Sequence, residues 1–196
     1  MSNSTKSVYD SPNLVSEIKR HILTILVDNE PGVLARVIGM FSGRGYNIDS
    51  LNVAEVSDKK HLSRITIVTH GTNEVLDQIE SQLLNIVPVH RVINLQTEGS
   101  AVEAEVALVY IEIDENNKKD SYQICDLYRA RKIENEHNSI IFEIAGASER
   151  INRFIKEIEE ITKVEIVRSG PVAISTNQKN EEDWWEFIMI EMRILI

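Results

Sequence analysis

The sequence predicts an α+β chain made of two consecutive β-α-β-β-α-β units. Short apolar runs rich in β-branched residues alternate with stretches whose apolar residues fall at helical spacing. The order strand, helix, strand, strand, helix, strand occurs within residues 20–96 and again within 102–176. Between the two, Gln96-Thr97-Glu98-Gly99-Ser100 is a polar break that reads as a linker, assigned to 97–101. This order puts two helices on one face of a four-stranded antiparallel sheet and leaves the other face to be covered by something else.

In the first unit, Ile22 to Val27 is a β-branched apolar run, so a strand is predicted over His21–Asp28. Val33, Leu34, Val37, Ile38 and Phe41 then share one helix face, which predicts a helix over Pro31–Ser42. Pro31 suits a first helical turn, where its missing N–H costs nothing. Gly43 and Gly45 suit the helix end, where a left-handed residue is needed. A strand follows from about Tyr46 to Val56, then a turn at Ser57-Asp58-Lys59-Lys60, then a strand over His61–His70. Ile65 and Ile67 face one side of that strand, and Arg64, Thr66 and Val68 the other. Gly71-Thr72-Asn73 breaks it and caps a helix whose inner stripe is Val75, Leu76, Ile79 and Leu83. Val87–Leu95 closes the unit as its fourth strand.

The turn at Asp28-Asn29-Glu30-Pro31-Gly32 has chemistry to offer. The first N–H groups of a helix lack an internal partner and carry the positive end of its dipole. Here they belong to Gly32, Val33 and Leu34, and Gly32 has no side chain to hold a ligand off the backbone. A carboxylate can sit on such donors. Asn29 offers a donor and an acceptor beside them, and Asn47, opening the next strand, is expected to face the same pocket. The set would bind both ends of a free amino acid. On its own, the loop reads first as a polar turn in which Asn29 and Glu30 cap the helix, since anion-friendly helix starts are common.

The second unit repeats the order with no obvious identity to the first. Val102–Ile113 is predicted as a strand with Val106, Leu108, Tyr110 and Glu112 on one face. Glu115-Asn116-Asn117-Lys118-Lys119 opens a helix carrying Ile124, Leu127 and Tyr128. A short strand over Arg131–Glu134, a turn at Asn135–Asn138 and a strand over Ser139–Ala145 follow. Gly146-Ala147-Ser148 starts a helix with Ile151, Phe154, Ile155 and Ile158 on one side, and Lys163–Arg168 is the last strand. Residues 1–19 read as a flexible extension and 177–196 as a tail. In that tail, Glu181-Glu182-Asp183 ahead of Trp184-Trp185-Glu186-Phe187-Ile188 predicts a short helix too apolar to stand free.

A formal net charge of −10 argues against nucleic acid as the main partner, because phosphates need a positive field. No apolar run reaches the ~20 residues of a membrane span, and the polar start lacks the core of a signal peptide. One cysteine, Cys125, makes no internal disulfide and fits a reducing, cytoplasmic setting. It lies beside Ile124 and Leu127, which reads as packing rather than as a nucleophile. His21, His61, His70, His90 and His137 show no metal-ligand spacing. No nucleophile elbow, P-loop or H-E-x-x-H is present, and Gly43-Arg44-Gly45 lacks a third glycine. Glu157-Ile158-Glu159-Glu160 reads as a solvated helix face. No catalytic centre and no metal site assemble from these residues.

Two blocks carry a resemblance. Asp28-Asn29-Glu30-Pro31-Gly32-Val33-Leu34-Ala35-Arg36-Val37, followed by Phe41-Ser42-Gly43-Arg44-Gly45-Tyr46-Asn47-Ile48-Asp49-Ser50-Leu51, closely resembles the regulatory, or small, subunits of acetolactate synthase (acetohydroxyacid synthase). Leu62-Ser63-Arg64-Ile65-Thr66, Gln78-Ile79-Glu80-Ser81-Gln82-Leu83 and Arg168-Ser169-Gly170 with Val172, Ala173 and Ser175 are similar to the same family. The resemblance covers about 20–175 and reverses the reading of the loop taken alone.

The resemblance implies an N-terminal ACT domain and a related C-terminal ferredoxin-like domain. It implies a subunit without an active site or cofactor of its own, which activates a catalytic subunit using thiamine diphosphate, magnesium and FAD. It implies feedback inhibition by a branched-chain amino acid, usually valine, bound where the ACT domains of a homodimer meet. By matching position, Asn29, Gly32, Val33 and Leu34, with Pro31 between them, would come from one subunit and Asn47 and Ile48 from the other. Pro31 stands where the family also uses other residue types, and the tail from Trp184 does not match the family pattern. The alternative is a stand-alone amino-acid-sensing ACT module acting on another partner.

Overall fold

The structure, a computed structural model, describes residues 17–57, 61–96, 101–136 and 138–176. The expected tail helix, most of the flexible extension, His137 and linker positions 97–100 lie outside the described residues.

The first unit runs β1 (Lys19–Asp28), α1 (Val33–Gly43), β2 (Ser50–Ser57), β3 (Leu62–Gly71), α2 (Asn73–Leu84) and β4 (Val89–Asn94). Its sheet has the order β2-β3-β1-β4, antiparallel throughout. Leu23, Ile25 and Val27 of β1 and Ile65 and Ile67 of β3 share one face, as the period of two requires. They pack against Val33, Val37, Met40 and Phe41 of α1 and Leu76, Ile79 and Leu83 of α2. Phe41 and Leu23 are fully enclosed there. The predicted inner stripe of α2 holds, with Val75 at its margin.

The second unit runs β5 (Ala101–Glu112), α3 (Lys118–Leu127), β6 (Arg131–Glu136), β7 (Ser139–Gly146), α4 (Ser148–Glu159), β8 (Val164–Arg168) and β9 (Val172–Ser175). The order is β6-β7-β5-β8, and β9 pairs with the beginning of β5. The buried face of β5 is Ala107, Val109 and Ile111, packed on Phe142, Ile144, Ile151, Phe154 and Ile158. Val106, Leu108 and Tyr110 do share a face, but it is the outer one. Both faces of this strand are apolar, so alternation did not reveal which turns inward. In α3 the buried line is Ser121 and Cys125, whereas Leu127 is exposed, contrary to the predicted stripe.

β9 is the strand that sequence patterning missed. Its four residues pair with Ala101–Ala104, extending β5 beyond the sheet it shares with β7 and β8. Ala101 is therefore strand, not linker. Ala173 of β9 packs with Ile22, Val68, Ile93 and Leu95 on the face of the first sheet that lacks helices. The second unit thus supplies part of that missing cover. Arg20 of β1 also bonds Glu103 of β5 across the units, 2.8 Å apart.

Candidate functional site

The loop between β1 and α1 is held from three sides. Asp28 receives His90 Nε2 at its carboxylate, 2.7 Å away, and its N–H donates to the Pro88 carbonyl at 3.2 Å. The Asn29 N–H donates to the carbonyl of His61 at 2.5 Å. Arg36, one turn into α1, donates to Glu30 Oε1 at 2.7 Å and also to the Val87 carbonyl. Arg36 and His61 carried no signal of their own in the sequence. Only the spacing of Arg36 from Gly32, one helical turn, hints that it reaches back over the loop.

The helix begins later than predicted. Pro31 sits in the turn, and Gly32 is the cap residue at φ +87°, a left-handed conformation that a side chain resists. Gly32 is thus needed for its backbone, in addition to leaving open space, since a Cβ there would meet nothing within 4 Å. At the other end Gly43 is the last helical residue and Gly45, φ +73°, supplies the left-handed turn.

Of the expected donors, the Val33 N–H makes a long bond, 3.4 Å, to the Glu30 carbonyl. No side chain caps α1, and its first turn contains no acidic residue. Among the described helices this is particular to α1. Thr72 caps α2, whose first turn has Glu74; α3 has Asp120 and α4 has Glu149 in theirs. With Asp28 and Glu30 engaged elsewhere, the positive helix start has no internal anion. Asn29, Pro31 and Gly32 are exposed, Leu34 is half-buried and Val33 faces the core.

Asn47 and Ile48 do not join this pocket within one chain. They precede β2, which starts at Ser50 rather than near Tyr46, and they lie past the far end of α1. Asn29 is bonded to His61 and Asn47 to Thr69, at the two ends of β3, so the two groups lie about 26 Å apart along that strand. Asn47 Nδ2 donates to Asp49 Oδ1 at 2.6 Å, and its carbonyl accepts from Thr69 Oγ1 at 2.6 Å. Asp49 Oδ2 in turn meets His70 Nδ1 at 2.5 Å. Ile48 packs at the margin of the core. Asn47 is therefore an exposed, pre-oriented side chain at the opposite corner from Asn29.

The corresponding loop of the second unit differs. An open cavity of about 480 Å³ lies there, lined by Glu112, Asp114, Asn117, Ser139 and Lys163 among others. Asp114 Oδ1 accepts from the N–H groups of Asn116 and Asn117, both at 2.8 Å. The backbone donors leading into α3 thus already hold a carboxylate of the chain itself. Cys125 is buried, and burial, with the charge of Asp126 adding to it, pushes its thiol up to about 12. Among the described residues, no three His, Cys, Asp or Glu side chains converge on a metal position, and no helix is long and apolar enough to cross a membrane.

Residues 23–91 match the family model described as an AHAS small subunit-like ACT domain, and residues 104–177 match that of the small subunit of acetolactate synthase. The acetolactate synthase isozyme 3 small subunit of Escherichia coli is 41% identical over 161 residues, 82% of this chain and 98% of the relative. The acetolactate synthase small subunit of Haemophilus influenzae is 37% identical over 162 residues, 82% of this chain and 98% of the relative. The crystal structure of the acetolactate synthase small subunit of Thermotoga maritima superposes with a TM-score of 0.70 at 34% identity, covering 80% of this chain and 96% of that one.

Proposed function

Since the chain belongs to the family of acetolactate synthase small subunits, we propose that it is a regulatory subunit whose ACT domains pair as a homodimer and hold a branched-chain amino acid, valine foremost, at their seam. It activates a separate catalytic subunit, to which the reaction and its thiamine diphosphate, magnesium and FAD belong. The occupied seam inhibits that partner.

The observation that supports this reading most is the bare start of α1. A carboxylate placed there gains the N–H groups of the first turn, the Val33 N–H giving up only its long 3.4 Å bond to the Glu30 carbonyl, and the helix dipole. Asn29 stands beside it for the ligand's other polar end. Asn47 and Ile48, about 26 Å away along β3, cannot reach the same small molecule in one chain.

A second copy removes that obstacle. β2 is an edge strand, paired with β3 alone in its sheet. Edge strands invite pairing with another chain, and two-fold symmetry makes β2 against β2 antiparallel. The start of β2, behind Asn47 and Ile48, then lies beside the end of the partner's β2. That end sits in one row with Leu62 and Asp28, next to the loop that carries Asn29. Asn29, Pro31, Gly32, Val33 and Leu34 of one copy thereby meet Asn47 and Ile48 of the other. By linkage, the amino acid regulates through its unequal affinity for the activating and inhibited arrangements.

Reconstitution with the catalytic subunit tests the proposal. The chain should raise acetolactate formation from pyruvate, and added valine, leucine or isoleucine should lower it again. A chain that neither activates nor confers inhibition by any of the three would refute the reading.

A further inference from the structure

The turn Arg168-Ser169-Gly170-Pro171, between β8 and β9, is bonded into both units. On the side of the second unit, Arg168 donates through Nε to Glu105 Oε1 at 2.6 Å and through Nη1 to Asn152 Oδ1 at 2.7 Å. The Ser169 N–H donates to the Val106 carbonyl at 2.9 Å, and Ser169 Oγ accepts from the Val106 N–H at 3.1 Å. On the side of the first unit, Asn52 Nδ2 donates to the Pro171 carbonyl at 3.0 Å. Gly170, at φ +71°, presses against β2: an added Cβ would overlap the Ser50 hydroxyl and lie 3.2 Å from Asn52 Nδ2. Pro171 is buried in this contact.

Ser50 and Asn52 project from one face of β2, the face opposite the helices, where they pair with Val68 and Thr66. They follow Asn47 and Ile48 by only a few residues. The units also meet through Arg20 with Glu103 and through Ala173. Those contacts land on Arg20, Ile22, Val68, Ile93 and Leu95, on the interior strands β1 and β3 and at the opposite edge strand β4 with the residue after it, none of them on β2. Within one copy β2 is bonded along one edge alone, and its other edge is the one a second copy takes in the proposed dimer, so its position is set by how the two copies and the ligand between them meet. Of the described contacts between units, the turn is the one that grips this strand.

We propose that the Arg168–Pro171 turn carries the state of the amino-acid cleft to the second unit, with Asn52 and Gly170 as its positioning residues. This rests on the regulatory reading above. A ligand that clamps Asn47 and Ile48 sets the position of β2. Ser50 and Asn52 move with β2 and press on a turn that has no free space and is pinned to β5 through Glu105 and Val106. Close-packed contacts of this kind shift between arrangements rather than absorb the displacement.

Asn52→Ala removes one hydrogen bond and Gly170→Ala fills the contact. Both are made in the full chain and compared with the unaltered protein for binding of valine, leucine and isoleucine by calorimetry, and for inhibition of the reconstituted holoenzyme. Hydrogen exchange over 102–106 and 172–175 is followed with and without the ligand. The proposal expects affinity for the free subunit within about threefold of the unaltered chain, activation preserved, maximal inhibition reduced by more than half, and a ligand-induced exchange change that disappears in Asn52→Ala. Inhibition and exchange unchanged in folded Asn52→Ala would overturn it, and this variant decides should Gly170→Ala not fold. An unaltered chain that binds none of the three amino acids defeats the regulatory reading and the coupling together. An unaltered chain that binds and is inhibited, with both variants responding identically, defeats the coupling alone.

Discussion

The backbone N–H of Asn29 donates to the His61 carbonyl across 2.5 Å, tying the loop ahead of α1 to the start of β3. This bond uses the main chain only, so it leaves the Asn29 side chain exposed and free to be altered without loosening the loop. Asn29→Ala should therefore raise the valine concentration needed for half-inhibition at least tenfold and leave activation intact. Assays of the reconstituted enzyme over a valine titration measure both.

Gly32→Asp should abolish inhibition by a different route. A side chain there meets open space, so its carboxylate falls where the ligand's would lie. The φ of +87° adds a strain of about 1 kcal/mol for any side chain. Gly32→Ala separates the two effects, since it carries the strain without the charge. Urea unfolding should show equal destabilisation of the two variants, with inhibition lost more completely in Gly32→Asp.

The second unit should not contribute a binding site for the same ligand. Asp114 already satisfies the N–H groups of Asn116 and Asn117. Asp114→Ala should cost about 1 kcal/mol of stability, typical of a lost cap, and leave calorimetric stoichiometry for valine unchanged. A doubled stoichiometry in the variant would show that Asp114 was merely blocking a competent site.

Acid should weaken the structure around Glu105. Burial alone would raise this carboxyl, but hydrogen bonds from Arg168 and Ser148, with the charges of Arg168 and Arg20, more than offset it and hold the group below its usual value. A depressed folded-state value means stability that is present above the unfolded value and lost as pH falls through the folded one. The loss should begin below about pH 4.3, the ordinary glutamate range. Urea unfolding between pH 7 and pH 3 should show a smaller acid-dependent loss in Glu105→Gln than in the unaltered chain.

The apolar patterns made the succession of strands and helices and the inner faces of α1, α2 and α4 legible, whereas the face of α3 was misread at Leu127. Ile65 and Ile67 against Arg64, Thr66 and Val68 sorted as predicted, because the two faces of β3 differ in chemistry. β5 did not sort, because Val106, Leu108 and Tyr110 on its outer face are as apolar as Ala107, Val109 and Ile111 within. β9 was illegible because four residues, Val172–Ser175, carry too little periodicity, and its partner Ala101–Ala104 is contiguous with a strand already assigned. The backbone demand at Gly32 was readable, because glycine takes a φ of +87° without the strain a side chain brings. The loop's closure by Arg36 and His61 was not, since both contacts run to main-chain carbonyls or across the fold. The separation of Asn47 from Asn29 became apparent only when α1 acquired a length and a direction.

Complementation between two defective subunits tests the shared cleft most directly. Asn29→Ala and Asn47→Ala chains, each expected to bind valine poorly as a pure dimer, are co-expressed with different tags and the mixed dimer is isolated. One of its clefts then carries both alanines, and the other pairs an intact Asn29 with an intact Asn47. Calorimetry should find one valine per mixed dimer at near-normal affinity and negligible binding in either pure variant. A mixed dimer as defective as its parents would contradict a cleft built from two copies.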